Sequence, residues 1–375
     1  MAQAAYLDYN ATAPLRPQAA AAMSALLEGP HNPSSVHGFG RAARLVAETA
    51  RRQIADFLGA DPAEIIFVSG GSEANNMALS GWQTLAVSAV EHEAVRAARP
   101  DAHILPVDAD GLVLLDGLAA FLEQLDPAMR PHTLVSVMAA NNETGVIQPL
   151  DEICRLCAEA GVAVHSDMIQ LAGRAALDLA SSGLSLASFS AHKLGGPTGI
   201  GALWVRGARL PEPVRPLIRG GGQEQGRRSG TENLLGIAGF GAAALAAADG
   251  LAQIARWQQW RDSTIKRITT ACPEAVLMGG GAARLANTIC LGFPGWASET
   301  AVIQLDLAGF AVSAGAACSS GKMRPSHVLQ AMGQEALADK SLRISFGWNS
   351  RAEELEKLAD RLIDLYSKKS LKFET

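Results

Sequence analysis

The sequence predicts an α/β protein: a large domain on a mainly parallel, seven-stranded sheet, with a smaller α+β domain beside it. Three observations carry this expectation. Short β-rich runs alternate with helical patterns from about Pro62 to Val205. The β-rich runs are almost continuously apolar, as strands covered on both faces are. After Pro273 the rhythm changes, and 375 residues exceed what one core of ordinary size holds.

Taken in order, seven runs read as strands of the large sheet: EIIFVS (64–69), TLAVSA (84–89), AHILPV (102–107), TLVSVMA (133–139), VAVHSD (162–167), LASFSA (186–191) and GALWV (201–205). Helical patterns lie around 72–82, 92–99, 114–125 and 150–160, and a long helix covers about 231–271 with a bend near Asp249 and Gly250. In the smaller domain, ANTICLGF (286–293) and LRISFG (342–347) read as strands. SETAVIQLDLAG and SHVLQAMG read as helices, and RAEELEKLADRLIDLYSKK as an amphipathic terminal helix. The expected boundaries put 12–255 in the large domain, and 1–11 with 256–375 in the small one.

Hydrophobic residues make up 48% of the chain and charged residues 18%, a composition that supplies a core. The net charge of -5 is interspersed, so no basic stripe points to nucleic acid and no polybasic segment to anionic lipid. The longest uncharged run, 234–248, is shorter than the roughly 20 residues of a membrane span and reads as a buried helix. The N-terminus lacks a charged stretch followed by an apolar one, so a cytoplasmic location is expected. Five sparse cysteines fit a reduced compartment rather than a disulfide framework.

In open parallel sheets, ligands bind beyond the carboxyl ends of the strands. That rule brings 69–76, His92, 141–145, 167–170, 190–193 and 220–233 to one rim. VSGGSEANN passes through Gly70 and Gly71 into a helix beginning near Ser72. Its N–H groups and hydroxyl suit a phosphate, and an ordinary capped helix start fits equally well. The nucleotide-binding patterns are weak: no G-x-G-x-x-G follows the first strand, and GAACSSGKM carries Met323 where a phosphate loop needs Ser or Thr.

Asp167 ends a buried strand, a costly place for a carboxylate unless a cation meets it. A protonated ring nitrogen is one such cation; capping the next segment is the plainer use. Lys193 lies among small, apolar and hydroxyl-bearing residues. Burial disfavours its charged form, and a neutral amine condenses with aldehydes. The alternative is a lysine that snorkels to water from a strand end. Ser190 and His192 beside it suit a phosphate, and the glycines after it are expected to let a flat ligand approach the backbone. An aldehyde, a phosphate and a basic ring nitrogen in one ligand describe pyridoxal 5′-phosphate, with Asp167 as partner of the ring nitrogen.

Cys318, among small residues and without apolar periodicity, is the candidate working thiol, whereas Cys157, Cys272 and Cys290 read as small core hydrophobes. The Cys154-x-x-Cys157 pair lies on an amphipathic helix without a second pair for zinc. Arg343 fits either a clamp for a substrate carboxylate or a structural ion pair.

YLDYNATAP, NPSSVHGFGRAAR, SGGSEANN, EHEAV, AANNETGVIQP, HSDMIQ, SAHKLGGPTGIGAL, GGGQEQGRRSGTEN and AGAACSSG follow one another in this order. Together they resemble the cysteine desulfurases, enzymes that supply sulfur for iron–sulfur cluster assembly, including the nitrogen-fixation type. The resemblance runs from Tyr6 to the terminal helix. It implies the aspartate-aminotransferase-like fold (fold type I), a homodimer, pyridoxal phosphate as cofactor and L-cysteine as substrate. It makes Lys193 the cofactor lysine, Asp167 the partner of the ring nitrogen, and His92 the residue stacked on the ring and moving protons. Gln170 and Asn142 reach the ring hydroxyl, with Asn142 also near substrate. Gly71, Ser72, Ser190 and His192 bind the phosphate, joined by Thr231 from the partner subunit. Arg343 takes the substrate carboxylate, and Cys318 accepts sulfur.

Ser72 stands where the family usually has threonine and keeps the hydroxyl. Met168 stands where a small residue is common, and a change in packing against the ring is expected there. The Cys318 loop is long, as in the subgroup whose cysteine hands sulfur to a scaffold protein. Cluster assembly, nitrogenase maturation, tRNA thiolation and molybdenum-cofactor sulfuration all fit as destinations. A selenocysteine lyase is the nearest alternative; an aminotransferase has no use for Cys318, and a non-catalytic sulfur-carrying partner none for Lys193 and Asp167.

Overall fold

The computed structural model describes residues 4–212, 214–315 and 324–370. A two-residue strand, β1 (Ala5–Tyr6), begins the chain. The large sheet then takes β2 (Ile65–Val68), β3 (Thr84–Ser88), β4 (His103–Leu105), β5 (Thr133–Ser136), β6 (Ala163–Asp167), β7 (Leu186–Ser190) and β8 (Gly201–Val205). Their spatial order is β2-β8-β7-β6-β5-β3-β4. All seven expected strands are present. β8 alone runs antiparallel to its neighbours β2 and β7; β3 to β7 pair parallel.

Three two-residue segments and two five-residue strands complete the β-structure of the described residues: β9 (Val276–Leu277), β10 (Thr288–Gly292), β11 (Phe310–Ala311), β12 (Ser313–Ala314) and β13 (Ser341–Ser345). The last of these pairs antiparallel with both β10 and β12. β11 pairs parallel with β1, tying the start of the chain to the late segment.

Two helices precede residue 62, where the sequence reading assigns none: Pro17–Ser24 and Gly38–Leu58. The second buries Ala43, Ala47, Ala50, Ile54 and Leu58. Alanines dominate that stripe and give a faint apolar signal in sequence. His37 caps it, Nδ1 accepting from the Gly40 N–H at 3.3 Å. Gly59 ends it at φ 61°, where a Cβ would also stand 2.9 Å from the Asp178 Cα.

The bent helix is resolved into Leu234–Gly250, a 3₁₀ turn at Leu251–Gln253, and Ile254–Ala271. By length and composition, 234–271 is apolar enough to cross a membrane. Its first half instead lies against both early helices. A Cβ on Gly241 would come within 2.7 Å of the Ala50 Cα, and one on Gly239 within 2.9 Å of the Met23 side chain. Small residues on both sides let the backbones approach closely.

The core on one face of the large sheet includes Ile54, Phe67, Val135, Val164, Phe189 and Trp204, and that on the other face Ile66, Val68, Leu85, Val87, Leu134 and Leu203. Another gathers Ala5 and Leu7 with residues between Trp257 and Tyr366. Each fully buried Leu or Ile contributes ~1.5–3 kcal/mol, so these cores set the positions of the strand ends. A smaller group gathers Val90, Met138, Met278, Cys290 and Leu329. Cys154, Cys157, Cys272 and Cys290 are all buried and unpaired. Burial pushes the thiols of Cys154 up to about 11 and of Cys157 and Cys290 up to about 12, so they stay protonated and inert.

Candidate active site

A cavity of about 740 Å³ opens beyond the carboxyl ends of the parallel strands. Helix Gly71–Leu79, which follows β2, supplies Gly71, Ser72 and Asn75 to its wall. The segment after β3 supplies His92, and the segment after β5 supplies Asn142 and Glu143. Asp167, Ile169 and Gln170 come from the end of β6. Ser190, His192 and Lys193 come from the end of β7, and Arg343 from β13. Ten of the twelve candidate residues therefore share one space.

Lys193 sits on the turn Ala191–Lys193. Its Nζ donates to the backbone carbonyls of Asn10 at 2.5 Å and Ala11 at 2.7 Å. Burial, then the cations Arg343 and Arg174, push its amine down to about 7, against the opposing pull of Asp8 and Asp167. The same burial, with Lys193 and Arg174, pushes His192 down to about 4, so its ring is neutral at pH 7 and offers an uncharged N–H.

Asp167 is 4% exposed. Its Oδ2 accepts from Asn75 Nδ2 at 2.8 Å and its Oδ1 from the Ile169 N–H at 3.0 Å. Among the described residues, no Lys, Arg or His forms an ion pair with it. The bond to Ile169 is the local turn that the plainer reading expected. The missing cation leaves a buried carboxylate facing the cavity with room for a ligand's positive charge.

His92 caps the four-residue helix Glu93–Arg96: its Nδ1 accepts from the Ala94 N–H at 3.1 Å, so in the neutral ring Nε2 carries the hydrogen and is the donor. Arg343 pairs with Asp8 at 2.7 Å and donates to the Asn142 carbonyl at 3.2 Å. Among the described residues its buried Nε has no partner, so the ion pair does not exhaust its donors.

Residues 5–358 match the aminotransferase class-V family. The cysteine desulfurase IscS of Dictyoglomus turgidum is 39% identical over 383 residues, spanning 96% of this chain and 94% of that protein. The chain belongs to the cysteine desulfurase family. A NifS-like protein from Rickettsia africae superimposes with a TM-score of 0.90 at 32% identity, covering 97% of this chain and all of that one (100%). A structure of SspA in complex with cysteine gives a TM-score of 0.77 at 31% identity, over 92% and 99% of the two chains. Desulfurases of this class are pyridoxal-phosphate-dependent, and the donor set here fits that cofactor. It combines a lysine amine, an unpaired buried carboxylate, and a helix start with hydroxyls and a neutral imidazole for the phosphate.

Against this desulfurase frame, several expectations change. The helix starts at Gly71, and Ser72 is not its cap; its N-cap Gly70 has no side-chain bond. The glycines after Lys193 do not open onto the cavity. A Cβ on Gly195 would meet Arg16 Cγ at 2.7 Å, one on Gly196 the Ala191 Cβ at 2.9 Å, and one on Gly201 the Phe189 carbonyl oxygen at 2.5 Å. These three permit close packing, whereas Gly199 has open space beside it and lines a second cavity away from Lys193. Met168 points its bulk into the large core, and Ile169 takes the place on the cavity wall.

Thr231 lies apart, in a second cavity of about 170 Å³ with Ser69 and Arg228. Cys318 lies outside the described residues. Gly315 and Arg324, the described residues nearest to it on either side, both line the cavity of Lys193.

The structure also adds residues that no sequence signal singled out. Asn10 accepts from Lys193 and from Gln170 Nε2 at 3.0 Å. Asn75 is one helical turn beyond Ser72, a spacing that could have placed it. Glu91 is fully buried, accepting from the Met138 N–H at 2.5 Å. Burial and the nearby Asp167 hold its carboxyl well above the usual range, against the Met138 N–H that favours the charged form. Glu143 accepts from the Ser326 hydroxyl at 2.5 Å.

Proposed function

We propose that this protein is a cysteine desulfurase that takes sulfur from L-cysteine, leaves a persulfide on Cys318 and releases L-alanine. The observation that carries the reading is one cavity holding Lys193, whose amine is pushed down to about 7, and Asp167, a buried carboxylate that forms no ion pair among the described residues. The family relatives and the SspA neighbour's complex with cysteine support the substrate. In the net reaction, the Cβ–S bond of cysteine breaks and an S–S bond forms to Cys318. The carbon gains a proton and is reduced as the sulfur is oxidised, so no outside oxidant is needed.

In this reading Lys193 holds the cofactor aldehyde and Asp167 its ring nitrogen. Gln170 and Asn142 reach the ring hydroxyl, and His92 covers the ring. Gly71, Ser72, Ser190 and His192 hold the phosphate, with Thr231 serving the site of the other protomer in a homodimer. Bound there, pyridoxal phosphate supplies an electron sink beside the substrate α-carbon. Lys193 accepts the α-proton at Nζ, and the Asn10 and Ala11 carbonyls take its remaining hydrogens. Arg343 orients the substrate carboxylate through its unpartnered Nε–H. A free thiol is only a few per cent ionised at neutral pH, so the substrate amine takes the proton of Cys318, while His92 donates from Nε2–H. The persulfide sulfur passes to an iron–sulfur scaffold or another sulfur acceptor.

The test is a spectrum of the purified protein with and without L-cysteine, borohydride trapping, and mass spectrometry of the Cys318 peptide. Expected are a visible band that cysteine shifts, a reduced adduct on Lys193, a mass gain of one sulfur on Cys318, and equimolar alanine. The variant Cys318→Ala should keep the band and make no persulfide. Undiminished sulfide release by that variant, or an unmodified Lys193, overturns the reading.

A further inference from the structure

Behind the cavity, Arg174 is 6% exposed. One of its nitrogens, Nη1, donates to both the backbone carbonyl (2.7 Å) and the side-chain Oε1 of Gln170. Its Nη2 donates to the Tyr9 carbonyl at 3.4 Å. Every acceptor is an uncharged oxygen, and among the described residues no carboxylate pairs with it. Burying a cation without an anion is costly, and a methionine would fill similar space without that cost. The charge therefore calls for a use.

The hydrogen bonds lead to Lys193. Arg174 holds Gln170 Oε1, which turns Gln170 Nε2 toward the Asn10 carbonyl, and the Lys193 amine donates to that same carbonyl. The charged and titratable groups acting on Lys193 are Arg343, Arg174, Asp8 and Asp167, with His192 beside it. Arg343 is paired with Asp8 at 2.7 Å. Arg174 is the unneutralised cation of the set.

We propose that Arg174 is a positioning residue for Lys193: its buried guanidinium fixes the Gln170 amide and, as an unpaired positive charge, favours the neutral lysine amine. The proposal rests on Lys193 being the cofactor lysine, and it concerns this chain's own charges. Burial pushes Arg174 down to about 9, still above Lys193 at about 7. The guanidinium thus remains charged across the range in which the lysine gives up its proton. Poor solvation on that side lets the repulsion act with little screening.

The experiment measures Lys193 itself. The full-length chain, freed of pyridoxal phosphate, is pulsed with acetic anhydride across a pH series, and the Lys193 peptide is quantified by mass spectrometry. Wild type is expected to label with a midpoint near 7. Arg174→Gln should label about tenfold more slowly at pH 7, and Arg174→Lys, which restores the cation, should stay close to wild type. If Arg174→Gln does not fold, Arg174→Met, which keeps the apolar stem, carries the same comparison. A wild-type midpoint in the ordinary lysine range overturns the proposal with no variant needed. So does a neutral variant that labels like wild type, or Arg174→Lys behaving like Arg174→Gln. Cofactor uptake, followed by absorbance on the same samples, separates the two ideas. An unmoved midpoint with normal uptake defeats the Arg174 proposal alone; wild type that takes up no pyridoxal phosphate defeats the functional reading with it.

Discussion

The side-chain amide of Asn75 donates to Oδ2 of Asp167 at 2.8 Å, joining residues 92 positions apart in the chain. The bond fixes one carboxylate oxygen, and the Ile169 N–H fixes the other. Asp167 is therefore oriented by two neutral donors, and among the described residues no cation forms an ion pair with it. Asn75→Ala should weaken pyridoxal phosphate binding roughly tenfold, the loss of one hydrogen bond to a charged group. Asn75→Asp should weaken it further, because a second carboxylate at that distance drives one of the pair to protonate. Titration of the cofactor by absorbance checks both, and unchanged affinity in Asn75→Ala refutes the role.

Lys193 sets a pH window. Its amine keeps a proton up to the ordinary lysine value of 10.5 when unfolded, but only to about 7 when folded. The unfolded chain thus binds more protons between those values, and stability of the cofactor-free protein should rise with pH across that range. The rate of cofactor capture should likewise climb about tenfold per pH unit below 7 and level off above it. Urea midpoints against pH, for wild type and Lys193→Met, test the first statement: the variant should lose this slope.

Arg343 is engaged by Asp8 yet keeps a buried Nε–H without a partner. Replacing it with lysine removes the planar fork and that donor. We expect KM for cysteine to rise about 30- to 100-fold in Arg343→Lys, with a smaller change in kcat, since a charge-assisted bond is worth ~1.5–3 kcal/mol. Steady-state alanine production gives both constants; an unchanged KM means the carboxylate binds elsewhere.

Buried His165 lies between two serines, with Nδ1 2.8 Å from Ser136 Oγ and Nε2 2.9 Å from Ser188 Oγ. Burial pushes it down to about 3 from 6.5. Between these values the unfolded chain takes up a proton that the folded one refuses. Stability should therefore fall by about 1.4 kcal/mol per pH unit as acid is added below 6.5. His165→Gln should flatten this slope, at the cost of one or both serine bonds at neutral pH. Denaturant midpoints from pH 7 down to 4 provide the check.

Most strands were legible because strands buried on both faces read as near-continuous apolar runs, as β2, β3 and β5 to β8 are buried; β4, at the sheet edge, exposes His103 and Ile104. Helix Gly38–Leu58 escaped notice because its buried stripe is largely alanine. Lys193, Asp167, Ser190 and His192 were legible because their residue types are out of place at the ends of buried strands. Asn10 and Arg174 were not. The first acts through its backbone carbonyl, which no side chain announces, and the second is an arginine like any other until its lack of a carboxylate is seen.

By itself, the sequence determined which chemistry the rim could carry, since residue type and position at a strand end are local properties. Tertiary structure alone decided which carboxylate stayed free of a protein cation, which arginine went unpaired, and which nitrogen of His92 remained available. Those are properties of distance and burial. They exist only once β1, β13 and the ends of β6 and β7 are brought together, because charge and hydrogen bonding depend on neighbours the chain order does not name.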